Sequence, residues 1–246
     1  MRPAPALLLF LLLGCFGFPT AAQVTTLQVT DASAPGSPIR ISGSLIVAES
    51  IESSPRCAVV RAQRCALTSM QYAITLRNIS NKPIVAYIAN VNGQTSNGHY
   101  VGTGYHAERI FGSLFAPGTG ETWPNSRGVE ITPQAAEVQP ANPSAAGQVL
   151  FVQFADGTIF GDRKAGEDLL LIRQQSLESL AQLDAIYTRQ GEQAFDKAAR
   201  QPNAGGMMGI AQFEKEDGPA ATIARIRRML AAAKERLAAM TAQPGR

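Results

Sequence analysis

Apolar and polar residues alternate along several early stretches of the chain. Ile39, Ile41, Leu45 and Val47 alternate with Arg40, Ser42 and Ser44, and Tyr72, Ile74 and Leu76 alternate with Gln71, Thr75 and Arg77. A period of two puts the apolar side chains on one face of a strand. Asn78-Ile79-Ser80-Asn81-Lys82-Pro83 is a turn cluster. Ile84 to Ala89 follows as a partner strand that is apolar on both faces, and Val149 to Phe154 is another strong strand. Asp156-Gly157 then precedes Thr158-Ile159-Phe160, a hairpin signal in which both turn residues are expected at positive φ. The Gly-, Asn-, Ser- and Thr-rich stretch 93–104 and the proline-bearing stretch 132–146 are expected to be loops.

The period changes near Gly161. Leu169, Ile172, Leu177, Leu180, Leu183 and Tyr187 recur at helical spacing, and Phe195, Ala198 and Ala199 extend the helical pattern as far as Pro202. Asp217-Gly218-Pro219 opens a further helix, with Pro219 in its first turn. Its stripe is Ile223, Ile226, Met229 or Leu230, Ala233, Leu237 and Met240. The pattern predicts a mostly β chain: an immunoglobulin-like antiparallel β-sandwich with a C-terminal α-helical region. The expected divisions are a signal peptide over 1–22, a β-sandwich domain over 23–162 and a helical C-terminal region over 163–246.

The signal peptide rests on Arg2, the short apolar run Ala6 to Leu13, and small residues at Thr20 and Ala22. The run is too short to cross a bilayer, which takes about 20 apolar residues, and no other stretch is longer. Cleavage after Ala22 predicts a protein free in the periplasm or secreted outside the cell. A competing reading takes Leu12-Leu13-Gly14-Cys15 as a lipobox, with Cys15 as a lipid anchor. Cys57 and Cys65 remain after the signal peptide, and an even pair in an oxidising compartment is expected to form a disulfide, drawn here as bridging a hairpin near Arg61. A metal or redox pair is the alternative, which the C-x7-C spacing with no nearby histidine suits poorly.

Leu76-Arg77-Asn78-Ile79-Ser80-Asn81-Lys82-Pro83-Ile84 resembles the strand-turn-strand of many exported bacterial immunoglobulin-like domains. Val152-Gln153-Phe154-Ala155-Asp156-Gly157-Thr158-Ile159-Phe160-Gly161-Asp162 is similar to a hairpin of uncharacterised secreted bacterial proteins in which a helix follows the sandwich. The resemblance covers about 90 residues. It implies a fold and no activity, and carries no catalytic residue over.

Charge and composition narrow the function. The chain has 22 basic and 19 acidic residues, too balanced to imply a nucleic-acid partner. Residues 23–162 carry 8 basic and 9 acidic residues, and 163–246 carry 13 and 10, so the body is mildly acidic and the tail mildly basic. His99 and His106 are the only histidines; with Glu108 they make His-x6-His-x-Glu, a weak metal candidate and the only nucleus for a hydrolase. Against it stands the plain reading of exposed loop residues. Gly102-Thr103-Gly104 is a fragment of a phosphate loop at best, no Gly-x-Ser-x-Gly elbow exists, and Asp156 with Asp162 belongs to a hairpin before a glycosidase pair. Asn78-Ile79-Ser80 is a turn before it is a glycosylation site. Trp123 is either a cap on the core or an exposed binding residue, and Arg225-Ile226-Arg227-Arg228 is either a solvated helix face or a contact for an acidic partner. No cofactor is implied. The expected function is a non-catalytic interaction protein, using an unknown protein partner or self-association through the apolar stripe of the last helix. The alternative is a metal-dependent or other hydrolase built on the His99/His106/Glu108 loop.

Overall fold

The computed structural model describes residues 23–52, 55–63, 65–123, 128–133, 142–201 and 209–242. The signal-peptide and Cys15 readings, and residues 134–141 of the expected loop over 132–146, lie outside them; the described ends of that stretch, 132–133 and 144–146, are strand rather than loop.

Among the described residues nine strands are laid down in order: β1 (Gln23–Asp31), β2 (Ile39–Glu52), β3 (Cys65–Asn78), β4 (Ile84–Gln94), β5 (Tyr100–Glu108), β6 (Gly120–Thr122), β7 (Gly128–Pro133), β8 (Ser144–Phe154) and β9 (Ile159–Gly161). Hydrogen bonds join them along the path β5-β4-β8-β1-β2-β3-β6, with β7 beside β3 and β9 beside β8. The result is one mixed sheet curled into a half-barrel.

The expected two-sheet antiparallel sandwich is therefore met only in part. The chain is mostly β, but among the described residues β1 belongs to both halves of a continuous sheet. Gln23 to Gln28 pair antiparallel with β2, and Val29 to Asp31 pair parallel with β8. The ladder with β2 ends at Gln28 opposite Ser44, next to Gly43. Gly43 has φ +127, and a Cβ there would overlap the backbone of Ala73. Only glycine fits this bend, which coincides with the point where β1 leaves β2.

The concave side holds a core of Leu27, Ile39, Ile41, Leu45, Val47, Tyr72, Ile74 and Leu76, facing Tyr87, Ala89, Val91, Val149 and Val152. Trp123 is 2 % exposed and closes this core against Tyr105, with ring centroids 5.2 Å apart. The expected core cap is what it forms.

The second core lies on the convex side of β4 and β8. Val85, Ala86, Ile88 and Phe151 meet Leu169, Leu180, Phe195, Ile210, Ile223 and Ile226. These belong to α1 (Arg163–Gln190), α2 (Glu192–Ala199), α3 (Ile210–Asp217) and α4 (Pro219–Ala242). A strand with a core on each side has no polar face, which is why Ile84 to Ala89 is apolar throughout. Asp162 caps α1 by accepting a hydrogen bond from the Lys164 backbone N–H at 2.9 Å. Gly166 lets the first turns of α1 lie on β8, since any Cβ there would overlap the Phe151 ring. Ion pairs tie the helices together: Arg200 Nε to Glu214 Oε2 at 2.8 Å and Arg227 Nε to Asp184 Oδ1 at 2.7 Å. No helix among the described residues is long and apolar enough to cross a membrane.

The last helix does not offer its stripe to a partner. Ile223, Ile226 and Ala233 are buried in the second core, and Met229, Leu230, Leu237 and Met240 pack against it. Of the covers open to the stripe, the sandwich, the preceding helix or a partner, the chain itself supplies it.

Cys57 and Cys65 form a disulfide. The bridge does not cross a hairpin: Cys57 lies in a 3-10 helix over Pro55–Val60 and Cys65 begins β3. Arg61, at φ +53, makes the reversal between them.

Candidate functional site

The residues singled out for metal chemistry do not converge. His99 and Glu108 flank β5 at opposite ends, nine residues apart, or roughly 30 Å along a strand. His99 turns to Glu49 instead, with Nδ1 2.7 Å from Oε1. Glu49 ends the inward-facing row of β2 and is buried. Thr95 Oγ1 donates to its Oε1 at 3.1 Å and Asn97 Nδ2 to its Oε2 at 2.9 Å. A buried carboxylate needs such partners, and here they all come from the β4–β5 turn. Sequence reasoning missed Glu49, because its partners lie some 46 to 50 residues away.

Glu108 is likewise committed. It accepts from Arg173 Nε at 2.7 Å and from the Ile110 backbone N–H at 2.9 Å. Arg173 Nη1 also donates to Gln153 Oε1 at 2.8 Å. Both charged side chains are nearly inaccessible, so this pair joins β5 and β8 to α1 in the interior. His106 stands alone of the three on the outer surface of β5, exposed. Among the described residues, no group of three or more His, Cys, Asp or Glu side chains is placed to hold a metal ion.

The two stretches that carry the resemblance meet at one corner. Lys82 Nζ lies 2.6 Å from Asp156 Oδ2 and the Ala155 N–H donates to Pro83 O at 2.9 Å. Burial alone would raise the Asp156 carboxyl. Hydrogen bonds from Lys82 and from the Thr158 hydroxyl and backbone, with the Lys82 charge, overcome it and hold the group down at about 2. The hairpin turn here uses positive φ only at Gly157, not at both turn residues as expected. Pro38, Ile79, Lys82, Phe154, Ile159 and Phe160 line a shallow cleft of about 510 Å³ at this corner. Elsewhere Arg109 contacts Glu121, whose carboxyl burial pushes up to about 7 although the guanidinium beside it favours the charged form.

One surface is neither core nor ion pair. The stretch expected as a loop over 93–104 is largely strand: β4 runs to Gln94 and β5 starts at Tyr100. On the outer face, beyond the reach of the helices, three cross-strand rows follow. Gln94 lies between Tyr100 and Ser144, Asn92 between Gly102 and Ala146, and Asn90 between Gly104 and Gln148. His106 extends the β5 column by one step. The glycines are what make the surface flat. A Cβ at Gly102 would fall 2.5 Å from Asn92 Oδ1, and one at Gly104 would fall 3.0 Å from Asn90 Oδ1. The two amides lie across the neighbouring strand in the space a side chain would take. Tyr100 is 79 % exposed at one end. Asn92, Gly102, Gly104, His106, Ser144, Ala146 and Gln148 are exposed, and none of the residues in this patch is Asp, Glu, Lys or Arg.

No family model, no curated protein and no solved structure matches this chain.

Proposed function

We propose that this chain is an exported, non-catalytic binding module that engages its ligand through the amide-rich face of β4, β5 and β8. One observation carries the reading. The side chains suited to chemistry, Glu49 with His99 and Glu108 with Arg173, are engaged in holding the fold, while on the flat face only Gln94 is engaged, donating to Gly98 O at 3.5 Å, and the Asn90, Asn92 and Gln148 amides face outward. An enzyme needs polar groups converging in a pocket. The three residues that would found a hydrolase are instead distributed along the length of β5.

Export is supported by the signal-like first 22 residues and by the disulfide, which suits an oxidising compartment. Kinship with immunoglobulin-like sandwiches is supported by β1, which divides between two halves that share one core. The direct β2–β3 connection, paired from Ile39 with Asn78 to Glu52 with Cys65, gives this chain its own strand order.

The test compares the full chain with Asn92→Arg, which sets a bulky charge in the middle of the exposed face. Both are screened against soluble peptides, uncharged and anionic glycans, and lipid vesicles, with ester and peptide hydrolysis followed in parallel with and without added zinc. The expected result is binding to one ligand class that Asn92→Arg abolishes, without turnover. Turnover, or binding indifferent to the substitution, would overturn the reading.

A further inference from the structure

We infer that the face takes an uncharged polysaccharide strand, a ligand class that rests on the binding-module reading and sharpens it. The argument starts from what the face contains and what it lacks. Each Asn or Gln amide offers two N–H donors and a carbonyl acceptor on one rigid plane. A sugar hydroxyl is also both donor and acceptor, so adjacent hydroxyls on one ring match one amide. Asn90, Asn92 and Gln148 supply three such groups, and Gln94 a fourth that already donates to Gly98 O at 3.5 Å, within three consecutive rows of the sheet.

The rows are two residues apart along each strand. From Tyr100 to His106 the surface is roughly 20 Å long, and across β5, β4 and β8 it is roughly 10 Å wide. That is an elongated strip suited to a chain of rings lying flat. Tyr100 stands at one end with most of its ring in solvent. An aromatic face attracts the C–H-bearing face of a sugar ring and asks for no charge in return.

The glycines make the strip specific. A Cβ at Gly102 would make the Asn92 amide move from its place, and one at Gly104 would crowd the Asn90 amide. Without them the amides stay low, and a rigid ligand can reach all of them at once. Preorganised groups of this kind lose little freedom on binding.

Charge decides between ligand classes. A nucleic acid or an anionic lipid surface needs a cluster of Lys or Arg, and the strip has neither among its residues. An extended peptide would be held through backbone groups at a sheet edge and pockets for alternate side chains. The amides stand on the face of the sheet, off the free edge of β5, and the middle row sets Asn92 between Gly102 and Ala146, which are too small to wall such pockets.

The experiment is calorimetry of the full chain against neutral glucan, mannan and chitin oligosaccharides, with a sulfated polysaccharide and a mixed peptide pool as contrasts. A neutral oligosaccharide is expected to bind. Tyr100→Ala should weaken it about tenfold, the loss of one aromatic contact of roughly 1.4 kcal/mol. Gly102→Ala, which removes no ligand contact but displaces the Asn92 amide, should weaken it to a similar degree. Circular dichroism spectra of both variants should match the unmodified chain. Binding should survive about 1 M salt, where the Debye length shrinks to about 3 Å. Failure of every neutral oligosaccharide to bind overturns the inference, as does binding that Tyr100→Ala and Gly102→Ala leave intact. Peptide or sulfated-polysaccharide binding that those variants abolish also overturns it, while leaving the binding-module reading standing.

Discussion

Asp156 shows how one side chain of the hairpin motif does structural work. Its carboxylate accepts from Lys82 Nζ at 2.6 Å and from the Thr158 hydroxyl at 2.6 Å and backbone N–H at 3.0 Å. The group sits at about 2 in the folded chain against an ordinary value of 3.8. A lowered carboxyl stabilises the fold above its unfolded value and ceases to do so once both states are protonated. The contribution is therefore full above about pH 4 and is lost as pH falls through 3.8 towards 2. The side chain is a quarter exposed, so water screens the pair, and about 1 kcal/mol is the expected size. Urea unfolding from pH 2 to 5 checks this. The chain should lose stability relative to Asp156→Asn as the pH drops, and a constant gap across that range would remove the ion pair from the account.

Between elements, the decisive contact is the buried pair that pins α1 to the sheet. Arg173 is 5 % exposed and its partner Glu108 is held by two donors. Removing one member leaves the other as an uncompensated buried charge, which costs about 3–5 kcal/mol. Arg173→Leu is thus expected to destabilise strongly, and adding Glu108→Leu should restore part of the loss by removing the buried charge, the remainder being the cost of leaving the Gln153 carbonyl and the Ile110 N–H without partners. Chemical denaturation of both variants measures it; a double variant no better than the single would show that the pair contributes specific packing rather than matched charge. Nothing in the sequence links these two residues, which lie 65 positions apart. The strands and helices themselves were more legible. Alternation placed β2 and β3, the two-faced apolar run announced a β4 buried on both sides, and the change of period at Gly161 fell two residues before the start of α1 at Arg163. What composition hid was β5. Gly102 and Gly104 looked like loop residues because glycine is poor strand material in isolation. Their role depends on Asn92 and Asn90 of the neighbouring strand, a relation across ten and fourteen residues that no local period records. The face proposed as the binding site was hidden for the same reason, and so was the departure of β1 to β8 beside Gly43.

At the scale of the whole molecule, the sheet and the helices share a wall rather than sitting as neighbours. β4 and β8 contribute to the concave core through Tyr87, Val91 and Val152 and to the convex core through Ile88 and Phe151. Arg236 of α4 also donates to the backbone carbonyls of Arg109 and Ile110, at 2.7 and 2.6 Å, just beyond the end of β5. A strand that belongs to two cores cannot lose one and keep the other in register, so the chain should unfold as one cooperative unit. Two probes report the two layers separately. Trp123, the chain's single tryptophan, lies in the concave core, and the far-ultraviolet helical signal comes from α1 to α4. Their urea transitions should coincide, with a common midpoint and slope. A chain ended after Gln201 tests the same coupling by subtraction, since it loses Ile210, Ile223, Ile226 and Ala233 from the convex core. It is expected to bind hydrophobic dye and to lose the buried Trp123 emission as well, although Trp123 touches neither α3 nor α4. A truncated chain with native Trp123 fluorescence, or two separated transitions in the full one, would make the sheet an independent unit and reduce the helices to an attachment.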